Sequence, residues 1–329
     1  MIDLTQLPPP DVIEALDFET LFQSRKARLL AAAPPDLRAG LAAALQLDSE
    51  PLTMLLQEFA YNELLQRQRI NEAARASLLA YAAGADLDNR AADYGVQRLL
   101  LQPDNPDAVP PTPAVWEVDT ALRRRCQMAL EGLSVAGSRG AYLFHTLSAS
   151  ADIADASVDS PRFEALELAA ELRRQLPADA LVLRCSYDAG LSAPLPGDVA
   201  VAVLPRPGVD AAPLLARALE VLSADDVRPL TDRPRALAGQ PQIFNVVATV
   251  ETENGPDADV VMSQARQRLD QTLATARRLG GVLPRSALFA ALHVPGVRRV
   301  DLIEPAADLQ CDVRHYPACR RIELQRAQS

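Results

Sequence analysis

The sequence lacks the long apolar segments that membrane proteins need. Nowhere do about 18 uncharged apolar residues follow one another, and the segment from Met1 to Pro10 has no basic stretch followed by an apolar one. We therefore expect no membrane partner and no export signal. The chain is predicted to be made in the cytoplasm and to stay soluble there.

Cysteine and basic residues are also scarce. The four cysteines are too scattered in 329 residues to form a disulfide framework, so reduced thiols are expected. Only 33 Lys and Arg residues stand against 43 Asp and Glu residues, which gives a formal charge of −10 and a field that repels phosphate backbones. Nucleic acid is therefore not an expected partner. Every basic residue except Lys26 is arginine, a bias typical of a GC-rich bacterial genome.

Motifs of known catalytic and cofactor sites are missing as well. The sequence has no nucleophile elbow, no His-Glu metal helix and no dinucleotide glycine fingerprint. Gly132 and Gly137 have the spacing of a phosphate loop, but Ser138-Arg139 stands where Lys followed by Ser or Thr is required. We predict no catalytic residues, no cofactor and no enzymatic activity.

One cluster could bind a metal ion. Cys311, His315 and Cys319 follow one another at four-residue steps, which would place them on one helical face or together in a loop. A structural zinc site needs four protein ligands, and no second cysteine pair supplies the fourth. A zinc-binding adaptor or a metal-dependent hydrolase is therefore the alternative interpretation rather than the preferred one.

What the sequence does contain is enough apolar material for sizeable cores. Hydrophobic residues make up 49% and charged residues 23%, and the length suggests two or three compact units. The pattern predicts an α+β, multi-domain fold with long N-terminal helices, a mixed α/β middle and an α+β C-terminal part. We place the domains at 1–95, 96–239 and 240–329.

The N-terminal third is predicted to be helical. A helix from Pro51 to Ala83 has the strongest signal, because cap residues and an early proline precede a stretch free of Pro and Gly up to Gly84. It would be roughly 50 Å long at 1.5 Å per residue. Other helices are predicted at Asp17–Ala33, Asp36–Leu45 and from Asp86 to just before Gly95.

The long helix has an interrupted apolar stripe. The stripe is mostly polar from Tyr61 to Glu72. Its largest apolar members are Leu52, Leu55, Leu56, Phe59, Leu78 and Leu79. Periodicity alone leaves two interpretations open, a core helix of its own chain or a helix that bundles with other subunits.

Further along, the prolines between Pro103 and Pro113 predict an extended, semi-stiff connector. Helices are then predicted at Asp119–Glu131, Ala141–Ala149, Phe163–Gln175, Ala211–Ala224, Asp257–Leu279 and Pro284–Leu292. Strands are predicted at Ile153–Ser160, Ala180–Tyr187, Val199–Leu204, Ile243–Val250, Val297–Leu302 and Arg321–Leu324.

Several further segments stand in a fixed order along the chain. They are Arg69–Ala74, Gly84–Asp88, Tyr94–Val96, Val109–Val115, Glu131–Ser138 with Ala141-Tyr142, Asp226–Pro229 with Asp232, and Ala290–Val297. Together these segments resemble the baseplate J-like family of contractile phage tails and phage-tail-like bacteriocins. The resemblance covers most of the chain. It fails between residues 162 and 195, where this chain has an insertion, and at the C-terminus containing Cys311 and Cys319.

The resemblance implies a structural wedge subunit rather than an enzyme. Paired copies would join a baseplate I-like wedge partner through an N-terminal bundle that includes the six apolar residues of the stripe. The unit from residue 240 onward would contact neighbouring wedges and close a sixfold ring that couples receptor engagement to sheath contraction. Further implied partners are a lysozyme-like subunit that initiates the sheath, and the hub and spike.

The same resemblance implies assembly in the bacterial cytoplasm, followed by release as part of a tail or virion. It does not separate an infectious phage from a headless bacteriocin, because that difference lies in capsid genes. A third interpretation is a virion or secretion-system scaffold unrelated to contractile tails.

Overall fold

The fold is seen in a computed structural model, which describes residues 4–134, 137–177, 179–253 and 258–327, apart from the side chain of Thr5. The chain forms two compact units. The first extends to Arg98 and includes Val118–Gln127; the second consists of Leu99–Glu117 and the residues from Met128 onward. The fold is α+β and multi-domain, as predicted.

Ten α-helices occur in the described residues, after a short 3-10 turn at Leu4–Gln6. They are α1 Phe18–Ala32, α2 Arg38–Ala44, α3 Pro51–Ala76, α4 Gly84–Ala92, α5 Asp119–Gly132, α6 Arg139–Ala149, α7 Ala170–Arg173, α8 Ala211–Leu222, α9 Ala258–Ala276 and α10 Arg285–Leu292. The predicted first residue of α9, Asp257, lies outside the described residues.

Twelve strands occur in the same residues. They are β1 Leu100–Gln102, β2 Val115–Trp116, β3 Ile153–Asp159, β4 Arg162–Ala165, β5 Leu183–Tyr187, β6 Asp198–Pro205, β7 Arg233–Ala238, β8 Gln240–Thr252, β9 Val282–Leu283, β10 Val297–Glu304, β11 Leu309–Gln310 and β12 His315–Arg326.

The first unit is built on the packing of α1 against α3. The carboxylate of Asp17 accepts a hydrogen bond from the Thr20 amide at 2.7 Å and caps α1, while Glu50 caps α3 just before its proline at the first position. The small core between these helices contains Phe22, Leu45, Leu56 and Ala60. Both helices begin where the sequence predicts.

The end of α3 was predicted wrongly. The helix stops at Ala76 rather than Ala83, so its 26 residues are about 39 Å long. The Ser77 side chain donates to the Ala74 carbonyl, and Arg123 donates to the carbonyls of Leu79 and Ala82. These contacts satisfy carbonyls of a turn in which the Ala82 amide still donates to the Leu78 carbonyl at 2.8 Å. Gly84 begins the next helix instead of ending this one.

The proline-rich segment is a β-hairpin rather than an extended connector. β1 and β2 pair antiparallel, and the Asn105 amide donates to the Thr112 carbonyl at 2.9 Å within the loop between them. The amide of Leu99 also bonds to the Glu117 carboxylate at 3.0 Å. The prediction failed because the prolines lie in the loop, while the paired strands are only three and two residues long.

The middle of the chain forms a three-stranded sheet in the order β3–β6–β7, with α6 and α8 packed on it. β3 is antiparallel to β6, and β7 is parallel to it. The sequence predicts both helices and the first two strands. It does not predict β7, which begins with Arg233 and Pro234, a pair typical of turns and tolerated here because β7 is an edge strand.

The insertion at 162–195 folds differently from its prediction. Instead of a helix over Phe163–Gln175, the segment starts with strand β4, which pairs antiparallel with β5, and only Ala170–Arg173 is helical. The Leu166 amide continues the pairing by donating to the Val182 carbonyl at 2.8 Å. The second strand, β5, lies within the predicted range.

The C-terminal part is a second sheet in the order β10–β8–β12, covered by α9 and α10. The central strand β8 is antiparallel to β10 and parallel to β12, and its residues alternate between buried and less buried. The buried side is Phe244, Val246, Ala248 and Val250, packed on Ala265, Leu269, Leu288 and Leu292. The two three-stranded sheets meet at Gly239, whose amide donates to the Val203 carbonyl at 2.8 Å.

Candidate functional site

The two faces of α3 differ in what they contact. Leu56 is 8% exposed and packs with Phe22 and Leu45, and Leu52 is half-buried at the edge of the same core. Both side chains therefore pack within the first unit of the folded chain.

Other large apolar side chains of α3 lie outside this core and are about half exposed in the described part of the chain. Leu55 is 49% and Phe59 46% exposed. Their exposed apolar neighbours are Met54, Tyr61, Leu65 and Ile70. Several large apolar residues left exposed on one helix favour an interaction surface, and we call this set of six residues the α3 outer face.

The remaining two predicted residues lie elsewhere. Leu78 is exposed and Leu79 half-buried, and both belong to the turn after α3 rather than to the helix. The predicted stripe therefore combines residues of the core, exposed residues of α3 and residues of the turn after α3. It missed Met54, Tyr61, Leu65 and Ile70, because Tyr61–Glu72 contains so many polar residues.

Charged residues fix α3 in the first unit. Glu63 binds Arg25 at 2.5 Å and Arg67 at 2.9 Å, and Arg67 also binds Glu14 at 2.5 Å. The hydrogen bonds from Arg25 and then Arg67 hold the pKa of the Glu63 carboxyl below its usual value. These pairs lie on the side of α3 that faces its own chain.

Asn71 anchors the N-terminal segment along α3, a role that the sequence analysis did not assign. Its side chain is buried, and it exchanges two hydrogen bonds with the backbone of Glu14, at 3.1 Å and 2.8 Å. The Tyr81 hydroxyl donates to the Leu7 carbonyl in the same way. Periodicity gave no signal for this role, because Arg67, Gln68 and Arg75, the polar neighbours of Asn71 at helical spacing, are not buried.

The structure does not bring the three predicted metal ligands together. His315 and Cys319 lie on strand β12, where four residues span about 13 Å, too far for both to bind one ion. Burial raises the pKa of the Cys311 and Cys319 thiols, which disfavours the thiolate that zinc requires. No group of three His, Cys, Asp or Glu in the described ranges is arranged to hold a metal.

Two of the segments that carry the resemblance contact each other beside the middle sheet. The segment with Gly137 and Tyr142 meets Asp232, the residue before β7. The Tyr142 hydroxyl donates to the Asp232 carboxylate at 2.9 Å, and burial, followed by this hydrogen bond, raises the pKa of the Tyr142 phenol. Gly137 has a positive φ, and a Cβ there would lie 2.6 Å from Asp232. These contacts explain the glycine and the tyrosine by packing and hydrogen bonding, without a bound ligand.

Comparisons with known proteins identify the family. Residues 48–105 match the Baseplate J-like N-terminal domain, and residues 244–325 match the Baseplate J-like protein C-terminal domain. Baseplate protein J of Escherichia phage P2 is 42% identical over 311 residues, which cover 94% of this chain and 92% of the phage protein. The chain belongs to the baseplate J-like family. It is a structural baseplate component.

The two baseplate J-like matches cover the long helix α3 and the C-terminal sheet. The N-terminal match contains α3 with its outer face, and the C-terminal match contains nearly all of the β10–β8–β12 sheet with α9 and α10. Among the described residues, no helix has the length and apolar character needed to cross a bilayer.

Proposed function

We propose that this protein is a wedge subunit of a contractile-tail baseplate, that it takes part in a sixfold ring around the hub, and that the ring couples receptor engagement to sheath contraction. The observation that carries the proposal is the α3 outer face, which has six exposed large apolar residues outside the core of the first unit. Such a face is suited to assembly and has no catalytic use.

The α3 outer face supports an N-terminal bundle with other subunits. A helix of about 39 Å with apolar residues on two sides can pack on its own chain with one side and on partner helices with the other. We assign it to contacts with a second copy and with a baseplate I-like wedge partner. Of the originally predicted residues, Leu55 and Phe59 keep this role, whereas Leu56 stabilises the chain itself.

The C-terminal sheet supports a different role. Its apolar core is buried within the domain, so the domain needs no partner to fold and contacts its neighbours with its surface residues. We assign the C-terminal sheet to contacts between neighbouring wedges. Other surfaces of this protein would contact the lysozyme-like sheath initiator, the hub and the spike. After assembly in the bacterial cytoplasm, the protein would leave the cell in the tail or virion.

The decisive experiment replaces Leu55 and Phe59 together by glutamate. Both side chains are exposed, so the isolated chain should keep its helical content and melting temperature. Burying two charges in a bundle costs several kcal/mol, so co-purification with a baseplate I-like partner should be lost. The matched control is Leu37→Glu with Leu47→Glu, two equally exposed leucines outside α3.

The N-terminal assignment is refuted if the Leu55/Phe59 variant still binds the partner as the control does. Genes beside this one provide a second test. Sheath, tube and spike genes are expected there, and the presence or absence of capsid genes separates a phage from a headless bacteriocin. A neighbourhood with no sheath gene contradicts the contractile-tail assignment.

A further inference from the structure

An open groove lies between α9 and α10 in the C-terminal sheet domain, with a volume of about 480 Å³. Its walls are mostly small or apolar side chains, among them Thr272, Ala276, Leu283, Ala287 and Ala291. Two exposed arginines, Arg268 and Arg278, also line it, and no acidic residue does. In the described part of the chain, neither guanidinium is in an ion pair. The groove is therefore apolar and positively charged.

The proline-rich hairpin, residues 99–117, has the opposite charge. Asp104 and Asp107 are exposed and have no ion-pair partner within the described ranges, and no Lys or Arg occurs between Gln102 and Glu117. At the tip, Val109 is 100% exposed and is followed by two prolines. The hairpin thus presents a small apolar tip beside two carboxylates.

The strands of the hairpin also expose apolar side chains. Leu100, Val115 and Trp116 are all about half exposed. A ribbon of two short strands is marginally stable by itself, so a surface that covers it would stabilise it. The five prolines between 103 and 113 reduce the conformational entropy lost on docking.

We propose that the proline-rich hairpin of one copy docks into the α9–α10 groove of a second copy. Because Val109 is fully exposed, the hairpin does not occupy the groove of its own chain. The contact joins two different surfaces of identical subunits, which is the kind of contact that closes rings. The inference rests on the proposed wedge function and names a contact between copies that the wedge function alone does not specify.

A charge exchange tests the docking with the full-length purified chain. The groove variant carries Arg268→Glu and Arg278→Glu; the hairpin variant carries Asp104→Arg and Asp107→Arg. In each variant alone, hairpin and groove have the same sign of charge, so self-association should weaken at least about tenfold relative to wild type. In an equimolar mixture, each hairpin meets a groove of opposite charge, and association should return.

Two readouts follow the docking. Sedimentation velocity measures association, and emission of Trp116, the single tryptophan, should shift to shorter wavelength as the hairpin becomes covered. Asp225→Arg with Asp226→Arg changes the net charge as the hairpin variant does, at exposed positions outside hairpin and groove, and should associate like wild type. Unchanged thermal melting of every variant shows that folding is intact.

Three results overturn the docking. They are a wild-type chain that stays monomeric at the highest attainable concentration, variants that associate like wild type, and a mixture that stays dispersed while wild type associates. None of these depends on a baseplate being formed. Because the α3 outer face is also assigned to a second copy, the charge exchange is repeated in the Leu55→Glu/Phe59→Glu background, where association through α3 is removed. Docking of the hairpin still predicts weakening and rescue there, so the two proposals fail separately.

Discussion

The helical first unit and the C-terminal sheet domain differ in how completely they bury their apolar residues. In the first unit, the core around Phe22 and Leu56 is small, and six large apolar residues of α3 remain exposed. In the C-terminal domain, β8, α9 and α10 enclose a core in which Val246, Leu269, Leu288 and Leu292 are completely buried.

The difference separates two kinds of assembly surface. A helix whose second face is apolar gains stability from a partner, so the first unit is expected to be more stable in the assembled particle than alone. A domain with a closed core gains little folding stability from neighbours and interacts through grooves and charged side chains. Under the proposed wedge function, the α3 outer face is the permanent contact region, and the C-terminal domain has the contacts that form or change during ring closure.

The largest expected effect tests the closed core. Leu288→Ala removes a completely buried side chain between α10 and β8 and should lower the free energy of unfolding by about 2–5 kcal/mol. Phe59→Ala removes a larger side chain from the α3 outer face and should change it by less than about 0.5 kcal/mol in the isolated chain. Urea unfolding followed by circular dichroism measures both.

The comparison of the two regions breaks if Phe59→Ala destabilises the isolated chain as strongly as Leu288→Ala does. That result would mean that the outer face is already covered within the folded chain.

Asn71→Ala should have an intermediate effect, confined to the first unit. The buried amide bonds to both backbone groups of Glu14, and its removal leaves them without these partners at a cost of about 1–3 kcal/mol. The segment before α1 should then detach from α3 and be cut faster by a protease at low concentration. Asn62→Ala is the control, since Asn62 is exposed and bonds only to Glu58 on the same helix. Equal cleavage rates in the two variants would contradict the anchoring role.

The sequence predicts best where one local pattern decides the structure. The helical spacing from Asp17, the proline at Pro51 and the strand signal at Ile243–Val250 each predict an element that the structure contains. The end of α3 could not be predicted in this way, because Arg123, 41 residues beyond Ala82, bonds to the carbonyls of the turn that replaces its last two helical turns. Strands as short as β1 and β2 have no periodicity to detect.

The candidate site was predicted only in part for a similar reason. Helical spacing shows that Leu52, Leu55 and Leu56 are near one another on α3, but which of them is exposed depends on where α1 packs. The packing places Phe22 against Leu56 and leaves Leu55 outside. A tertiary contact therefore divides one apolar stripe between the core and the outer face.

The smallest expected effect concerns the charged contacts that hold α3 in the first unit, and it depends on pH. Hydrogen bonds from Arg25 and Arg67 lower the pKa of Glu63 in the folded chain below its ordinary value of 4.5, so the unfolded chain binds more protons as the pH falls. The stabilisation is present above that value and is lost as the pH falls through the folded pKa. Glu63→Gln should therefore lower the melting temperature slightly at about pH 6, and the difference from wild type should narrow on acidification. Glu72→Gln, at an exposed position on the same helix, should show no such narrowing; a constant difference for Glu63→Gln would mean that its ion pairs do not stabilise the first unit.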